Sequence, residues 1–196
     1  QPADAKAVKS VAAAGAAEYK SNRDMQEFGE LGTAGIVASQ DFRGGLPTRN
    51  YQSGVFANFE AISGERLAET LLVDRDTCYA CVVRCKREVE SEQYNIKREL
   101  GGPEYETIAT FGSYCAVSDL AAVSKANALC NDYGLDTISA GATIAWAMEC
   151  YEAGLLTSDD TGGIDLRWGN AQAMLEALEA LAFRRGTFGD LLAEGS

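Results

Sequence analysis

The stretch DTCYACVVRCKR, from Asp76 to Arg87, decides how the rest of this sequence is interpreted. It places Cys78, Cys81 and Cys85 within eight residues, at steps of three and four. Residues three and four apart share one face of a helix, so sulfur atoms on a helix or helical loop can converge on a point. This spacing is typical of a metal site.

The fourth ligand of such a site is not evident. Tetrahedral zinc and a [4Fe-4S] cluster both require four donors, and the chain contains no His. Cys115, Cys130 and Cys150 are scattered through apolar helical segments, where a free Cys is usually a packing residue. The spacing therefore favours three ligands of a cluster whose fourth ligand lies elsewhere, and a chance grouping of thiols is the alternative.

Charge and hydropathy exclude several classes of partner. The chain has 17 Lys and Arg against 29 Asp and Glu, a net charge of -12, so we expect neither nucleic acid nor an anionic membrane as a partner. No signal peptide is visible, and the apolar stretch 138–148 is shorter than the roughly 20 residues a membrane span requires. We predict a cytoplasmic protein with reduced cysteines.

The helical periodicity and capping residues predict an all-α fold, an irregular multi-helix domain in which no strand is predicted. The segment 41–58 is predicted to be a long loop. We divide the chain into a helical domain at 1–154 and the truncated start of a second helical domain at 155–196. Predicted helices cover 2–20 with Pro2 in the first turn, 21–32, 63–72, 118–134, 138–153, 170–186 and a last helix capped by Thr187.

Two groups of acidic residues allow a structural and a functional interpretation. Glu104 and Glu106 follow Pro103, where acidic residues commonly begin a helix, although a functional carboxylate is the alternative. Asp132 and Asp136 belong to the segment NDYGLDT at 131–137, where one predicted helix ends and the next begins, and they can act as capping residues. Alternatively, a carboxylate there can accept paired N–H donors from an aminopyrimidinone ring.

Six segments of the sequence form a recognisable set: TAGIV at 33–37, LPTRN at 46–50, CYACVVRC at 78–85, GGPEYETIATFGS at 101–113, KANALCNDYGLDTISAGATIAWAMECYEAGLL at 125–156 and GTFGDLLAEG at 186–195. Taken together, these motifs resemble the tungsten-containing aldehyde ferredoxin oxidoreductase family. The resemblance covers nearly the whole chain, but only the helical second domain and the opening of the third domain of the family.

The resemblance implies tungsten, or sometimes molybdenum, held by two pterins beside a [4Fe-4S] cluster. It implies that Cys78, Cys81 and Cys85 ligate the cluster. The family's DxxGLD motif contacts a pterin and falls on Gly134, Leu135 and Asp136, with Asn131 at its first position. In the family a glutamate of the GPEYE segment lies near the metal and is a candidate for proton transfer. It falls on Glu104 or Glu106 here, and the spacing to the pterin motif favours Glu106.

The implied activity is oxidation of a small aldehyde to a carboxylate, with electrons passing to ferredoxin or another electron-transfer subunit. A homodimer is a further expectation. The family's β-rich first domain, its DxxGLC motif with the fourth cluster ligand and its catalytic His have no counterpart here, so we expect this chain alone to be an inactive fragment. Two alternatives stay open: a tungsten subunit of an aryl-CoA reductase complex, and a non-enzymatic helical metal-binding domain.

Overall fold

The protein is described by a computed structural model covering residues 3–196, so the predicted role of Pro2 lies outside the described residues. The fold is mostly helical, which confirms the predicted class. The helices are α1 (Ala5–Ser21), α2 (Arg23–Leu31), α3 (Val37–Phe42), α4 (Gly64–Thr70), α5 (Tyr105–Ile108), α6 (Leu120–Tyr133), α7 (Thr137–Glu152), α8 (Ala171–Ala182) and α9 (Gly186–Leu192). Within residues 3–196, no helix is both long and apolar enough to cross a membrane.

Side-chain caps fix the starts of the three long core helices. The side chains of Asp119, Asp136 and Asn170 each accept a hydrogen bond from the backbone N–H three residues later, at the starts of α6, α7 and α8. Gly134 ends α6 in the left-handed region, with φ 72°. The prediction for the last helix was wrong in detail, because α9 begins at Gly186 with Arg185 in the capping position.

The core forms where α6 and α7 pack against the segment that continues α5, and α8 packs on both of these helices. That segment, Ala109–Ser113, is π-helical and every one of its residues is buried. Ile144 and Met148 of α7 and Met174 and Leu178 of α8 are fully buried in the same apolar cluster. The core therefore runs across residue 154, and the domain boundary proposed there stays a prediction.

A two-stranded antiparallel sheet interrupts the helical fold, and the sequence did not predict it. Strand β1 (Leu72–Asp76) pairs with β2 (Lys86–Val89), with Arg75 opposite Arg87 and Asp76 opposite Lys86. Both strands are rich in charged residues, which hides the alternation typical of a half-buried strand. The cysteines consequently lie in the connection of a β-hairpin rather than on a helix, which corrects the helical geometry expected for them.

Candidate functional site

The cysteine loop, residues 77–85 between β1 and β2, is organised by its own backbone. The Thr77 hydroxyl donates to the carbonyl oxygens of Cys78 at 3.0 Å and Cys81 at 2.7 Å, and the Cys81 N–H donates to the Cys78 carbonyl at 3.1 Å. Ala80 and Arg84 adopt left-handed backbone angles, with φ 56° and 54°. These turns keep the three cysteines on one short, tightly folded connection.

The thiols suit a cluster by chemistry but are not arranged around a centre. Cys78 and Cys81 are exposed, Cys85 is half-buried, and none of the three is in a disulfide. Across residues 3–196, no three Cys, His, Asp or Glu side chains are placed to hold a metal ion. Thiolates are the ligands that iron–sulfur clusters use, so the three residues fit as part of such a donor set, with a fourth donor still required.

Two glycines near the end of α2 allow the cysteine loop to lie directly on the helix backbone. A Cβ atom on Gly29 would lie 2.6 Å from the Val83 carbonyl oxygen, and one on Gly32 would lie 2.6 Å from the Cys85 carbonyl oxygen. Gly32 also has φ 64°, which favours glycine. These contacts join segments about fifty residues apart, so no local pattern of residues indicates them.

A groove of about 790 Å³ lies between the base of the hairpin and the helices α5, α6 and α7. Both candidate acids, Glu104 and Glu106, line it, as do Asn131 and Thr137. The hairpin contributes Asp76, Lys86, Arg87 and Glu88. The structure thus brings together the GPEYE segment, the start of the pterin-type motif and the strands that carry the cysteine loop.

Glu104 and Glu106 have different environments in this groove. Glu104 is half-buried and accepts a short hydrogen bond from the Thr33 hydroxyl, which in turn accepts the Tyr105 N–H at 2.8 Å. Glu106 is exposed and has no side-chain hydrogen bond within residues 3–196. Burial, and secondly the charge of Glu106, raises the pKa of the Tyr105 phenol. Glu104 is therefore held in a structural network, whereas the carboxylate of Glu106 is free to face a ligand.

The predicted pterin-contacting residues do not all face the groove. Asn131 is on its wall and donates to the Leu100 carbonyl at 2.8 Å. Asp136 instead accepts hydrogen bonds from the Ser139 N–H at 2.8 Å and hydroxyl at 2.6 Å, which lower its pKa. Asp136 and Leu135 border a separate hollow of about 180 Å³ beside Ser139. The capping role of Asp136 is thus confirmed, and its pterin contact stays a prediction, like that of Gly134 and Leu135.

These features define a class: a helical domain that presents a cysteine-bearing hairpin beside an acid-lined groove. Residues 10–196 match the family model described as aldehyde ferredoxin oxidoreductase, domains 2 & 3. The chain belongs to this family, which confirms the resemblance found in its motifs.

Three relatives show how similar the chain is to part of a longer oxidoreductase. The chain is 42% identical over 168 residues to a tungsten-containing aldehyde ferredoxin oxidoreductase of Thermococcus kodakarensis, covering 85% of this chain and 27% of the relative. It is 40% identical, with the same coverage, to the protein of that name from Pyrococcus furiosus. An aliphatic sulfonate oxidoreductase, WOR-like subunit, of Pyrococcus furiosus is 28% identical over 180 residues, covering 91% of this chain and 28% of that protein.

A solved structure shares the fold at low sequence identity. It is the active site complex BamBC of benzoyl coenzyme A reductase with 1,5-dienoyl-CoA, at a TM-score of 0.62 and 22% identity. The match covers 85% of this chain and 24% of that one. The chain spans about a quarter of the length of the relatives that it matches, so the activity of a whole enzyme is a matter of proposal.

Proposed function

We propose that this chain is the helical portion of an oxidoreductase that oxidises aldehydes to carboxylates at a tungsten, or molybdenum, bis-pterin centre. Electrons would leave through a [4Fe-4S] cluster to ferredoxin or another electron-transfer subunit. The observation that carries the proposal is the 40–42% identity over 85% of this chain to tungsten-containing aldehyde ferredoxin oxidoreductases. The meeting of the GPEYE acids and the hairpin strands in one groove supports it.

In this proposal Cys78, Cys81 and Cys85 hold the cluster, which supplies one-electron transfer when bound. Cys78 and Cys81 are exposed in the hairpin connection, which leaves room for a cluster and for a fourth ligand from another part of the protein. The sulfur donors would bind as thiolates, the form of Cys that ligates metals.

Glu106 is the proposed proton-transfer residue. It lines the groove, is exposed and is free of competing hydrogen bonds within the described part of the chain, whereas Thr33 and the helix start hold Glu104. A carboxylate that faces the reacting group can accept and return a proton there.

The pterin contacts proposed for Gly134, Leu135 and Asp136 depend on the turn between α6 and α7. The left-handed Gly134 reverses the chain and places Asp136 at the start of α7, where the carboxylate accepts two hydrogen bonds. A carboxylate in this position can also accept N–H donors from a pterin edge. Asn131, on the groove wall, would contribute an amide instead of the family's carboxylate.

The aryl-CoA reductase alternative has weaker support. The likeness to benzoyl coenzyme A reductase is at 22% identity and establishes the shared fold alone. A non-enzymatic metal-binding domain is distinguished by its metal, since zinc without iron and sulfide would support it.

The test uses the protein expressed anaerobically from its complete gene, with iron, acid-labile sulfide and tungsten measured alongside aldehyde-dependent reduction of viologen dye. We expect Cys81→Ser to lose iron and activity, and Cys150→Ser, a half-buried thiol on α7, to retain both. We expect Glu106→Gln to retain iron and tungsten but lose activity at least a hundredfold. Wild-type protein that contains zinc without iron, or full activity in Glu106→Gln, would overturn the corresponding part of the proposal.

A further inference from the structure

Arg87 is a buried charged residue at the base of the cysteine loop. It lies on β2, two residues after Cys85, and is only 3% exposed. Its guanidinium donates to three backbone carbonyls: those of Gly29 at 2.8 Å, Arg84 at 2.9 Å, and Glu30 through a short bond. Arg87 therefore joins the end of the cysteine loop to the last turn of α2.

The charge of this guanidinium is not neutralised by a carboxylate in contact with it. No salt bridge within residues 3–196 includes Arg87, and its buried Nε–H has no hydrogen-bond partner there. A buried charge is costly unless a counter-charge is near, so this arrangement favours negative charge on the adjacent loop.

The unpartnered N–H is next to the backbone of the cysteine loop. A Cβ atom on Gly32 would lie 2.6 Å from the Cys85 carbonyl oxygen and 3.2 Å from Arg87 Nε. The Cys85 carbonyl group and the Arg87 Nε–H therefore both lie beside Gly32, at the C-terminal end of α2. Lys86, the adjacent residue of β2, is exposed instead, so only Arg87 of this pair keeps its charge away from solvent screening.

We propose that Arg87 is a positioning residue which holds the cysteine loop against α2 and supplies the buried positive charge that favours reduction of a cluster on Cys78, Cys81 and Cys85. This inference rests on the proposed function, which places the cluster on those residues. One electron enters the cluster, from dithionite in the titration below, and no bond forms or breaks. The added negative charge is stabilised by a fixed cation in a region of low dielectric constant.

The experiment measures the cluster's reduction potential by EPR-monitored titration, and iron release to a chelator, in the full-length holoprotein. Arg87→Gln removes the buried charge, Arg87→Lys keeps it, and Lys86→Gln removes an exposed charge from the adjacent position as the matched control. For Arg87→Gln we expect the equilibrium constant for reduction to fall at least tenfold, about 59 mV for one electron. For Lys86→Gln we expect a change of less than threefold.

Arg87→Lys should leave the equilibrium constant for reduction within threefold of wild type, because the positive charge is kept. It should release iron at least threefold faster, because the ammonium group of lysine cannot donate to the three carbonyls with the planar geometry of the guanidinium. If Arg87→Gln does not fold, Arg87→Lys decides the question: a tenfold fall in its equilibrium constant, or unchanged iron release, overturns the proposal. Equal potentials for Arg87→Gln and Lys86→Gln also overturn it. A wild-type protein without iron would refute the proposed function and this inference together, whereas an iron-loaded wild type with an unaltered Arg87→Gln refutes this inference alone.

Discussion

The contact of Gly29 with the cysteine loop predicts that Gly29→Ala loosens the hairpin. The new Cβ would lie 2.6 Å from both the Val83 carbonyl oxygen and the Tyr19 hydroxyl. Ordinary contacts of a Cβ begin near 3.4 Å, so one side must move by about 0.8 Å. The Tyr19 side chain can rotate, but the Val83 oxygen is part of the backbone, so the cysteine loop must withdraw from α2.

Two effects of opposite sign set the change in the free energy of opening of the hairpin in Gly29→Ala. Alanine stabilises a helix interior by about 1 kcal/mol relative to glycine, whereas overpacking a filled contact costs about 1–3 kcal/mol. Because the Val83 oxygen is part of the backbone and cannot rotate away, we take the upper part of that cost, about 2–3 kcal/mol, and expect the free energy of opening of the hairpin to fall by about 1–2 kcal/mol. Gly15→Ala is the matched control, because Gly15 lies inside α1 and a Cβ there meets nothing within 4 Å. This control should gain about 1 kcal/mol of local helix stability.

Amide hydrogen exchange is the suitable assay, because it reports the opening free energy of each segment separately. The strands β1 and β2 should exchange faster in Gly29→Ala, and α1 should exchange more slowly in Gly15→Ala without any change in the hairpin. Repeating Gly29→Ala in a Tyr19→Phe background removes the hydroxyl contact and should leave the loss in place. Unaltered hairpin protection in Gly29→Ala would refute the reasoning, and full rescue by Tyr19→Phe would assign the strain to the hydroxyl.

Three further predictions concern the core and the turn between α6 and α7. Phe111→Ala, at a fully buried position, should lower the free energy of unfolding by about 3–5 kcal/mol in urea denaturation. Phe42→Ala, at a side chain 93% exposed, is the control and should change it by less than about 0.5 kcal/mol. Similar losses in both variants would show that the core is wrongly placed. Asp136→Ala should cost about 1 kcal/mol at pH 7 because α7 loses its cap, while Asp136→Asn keeps the cap. Hydrogen bonds from Ser139 lower the pKa of Asp136 below 3.8, so its contribution to the free energy of unfolding is present above pH 3.8 and disappears as the pH falls through the lowered pKa. The stabilities of the wild type and Asp136→Ala should therefore converge in acid. A constant difference in stability across pH would contradict this. Gly134→Ala should cost about 1 kcal/mol from its left-handed backbone alone, since a Cβ there meets nothing within 4 Å, and a neutral result in thermal unfolding would count against that strain.

Local signals in the sequence predicted much of the helical frame. The predicted ranges 118–134, 138–153 and 170–186 place helix starts near Asp119, Asp136 and Asn170 and a helix end at 134, and the caps of the structure lie there. These residues act through hydrogen bonds and backbone angles within one or two turns, so their effect can be read from neighbouring residues.

Contacts between distant segments were not predictable in the same way. The strands β1 and β2 contain Asp74, Arg75, Arg87 and Glu88, and their pairing depends on the turn that the cysteine loop makes between them. The hydrogen bond from Thr33 to Glu104 spans 71 residues. The sequence identified Cys78, Cys81 and Cys85 as one group, but neither their place on a hairpin nor the buried Arg87 follows from their spacing.

The direct approach of the cysteine loop to Gly29 and Gly32 also bears on how this region can change during evolution. The contact is made by main-chain oxygens of Val83 and Cys85, so the identity of the side chain at Val83 places little constraint on it. Adding or deleting a residue between Thr77 and Cys85 would shift those oxygens away from the glycines. Amino-acid substitutions should therefore be tolerated in this connection far more readily than insertions or deletions.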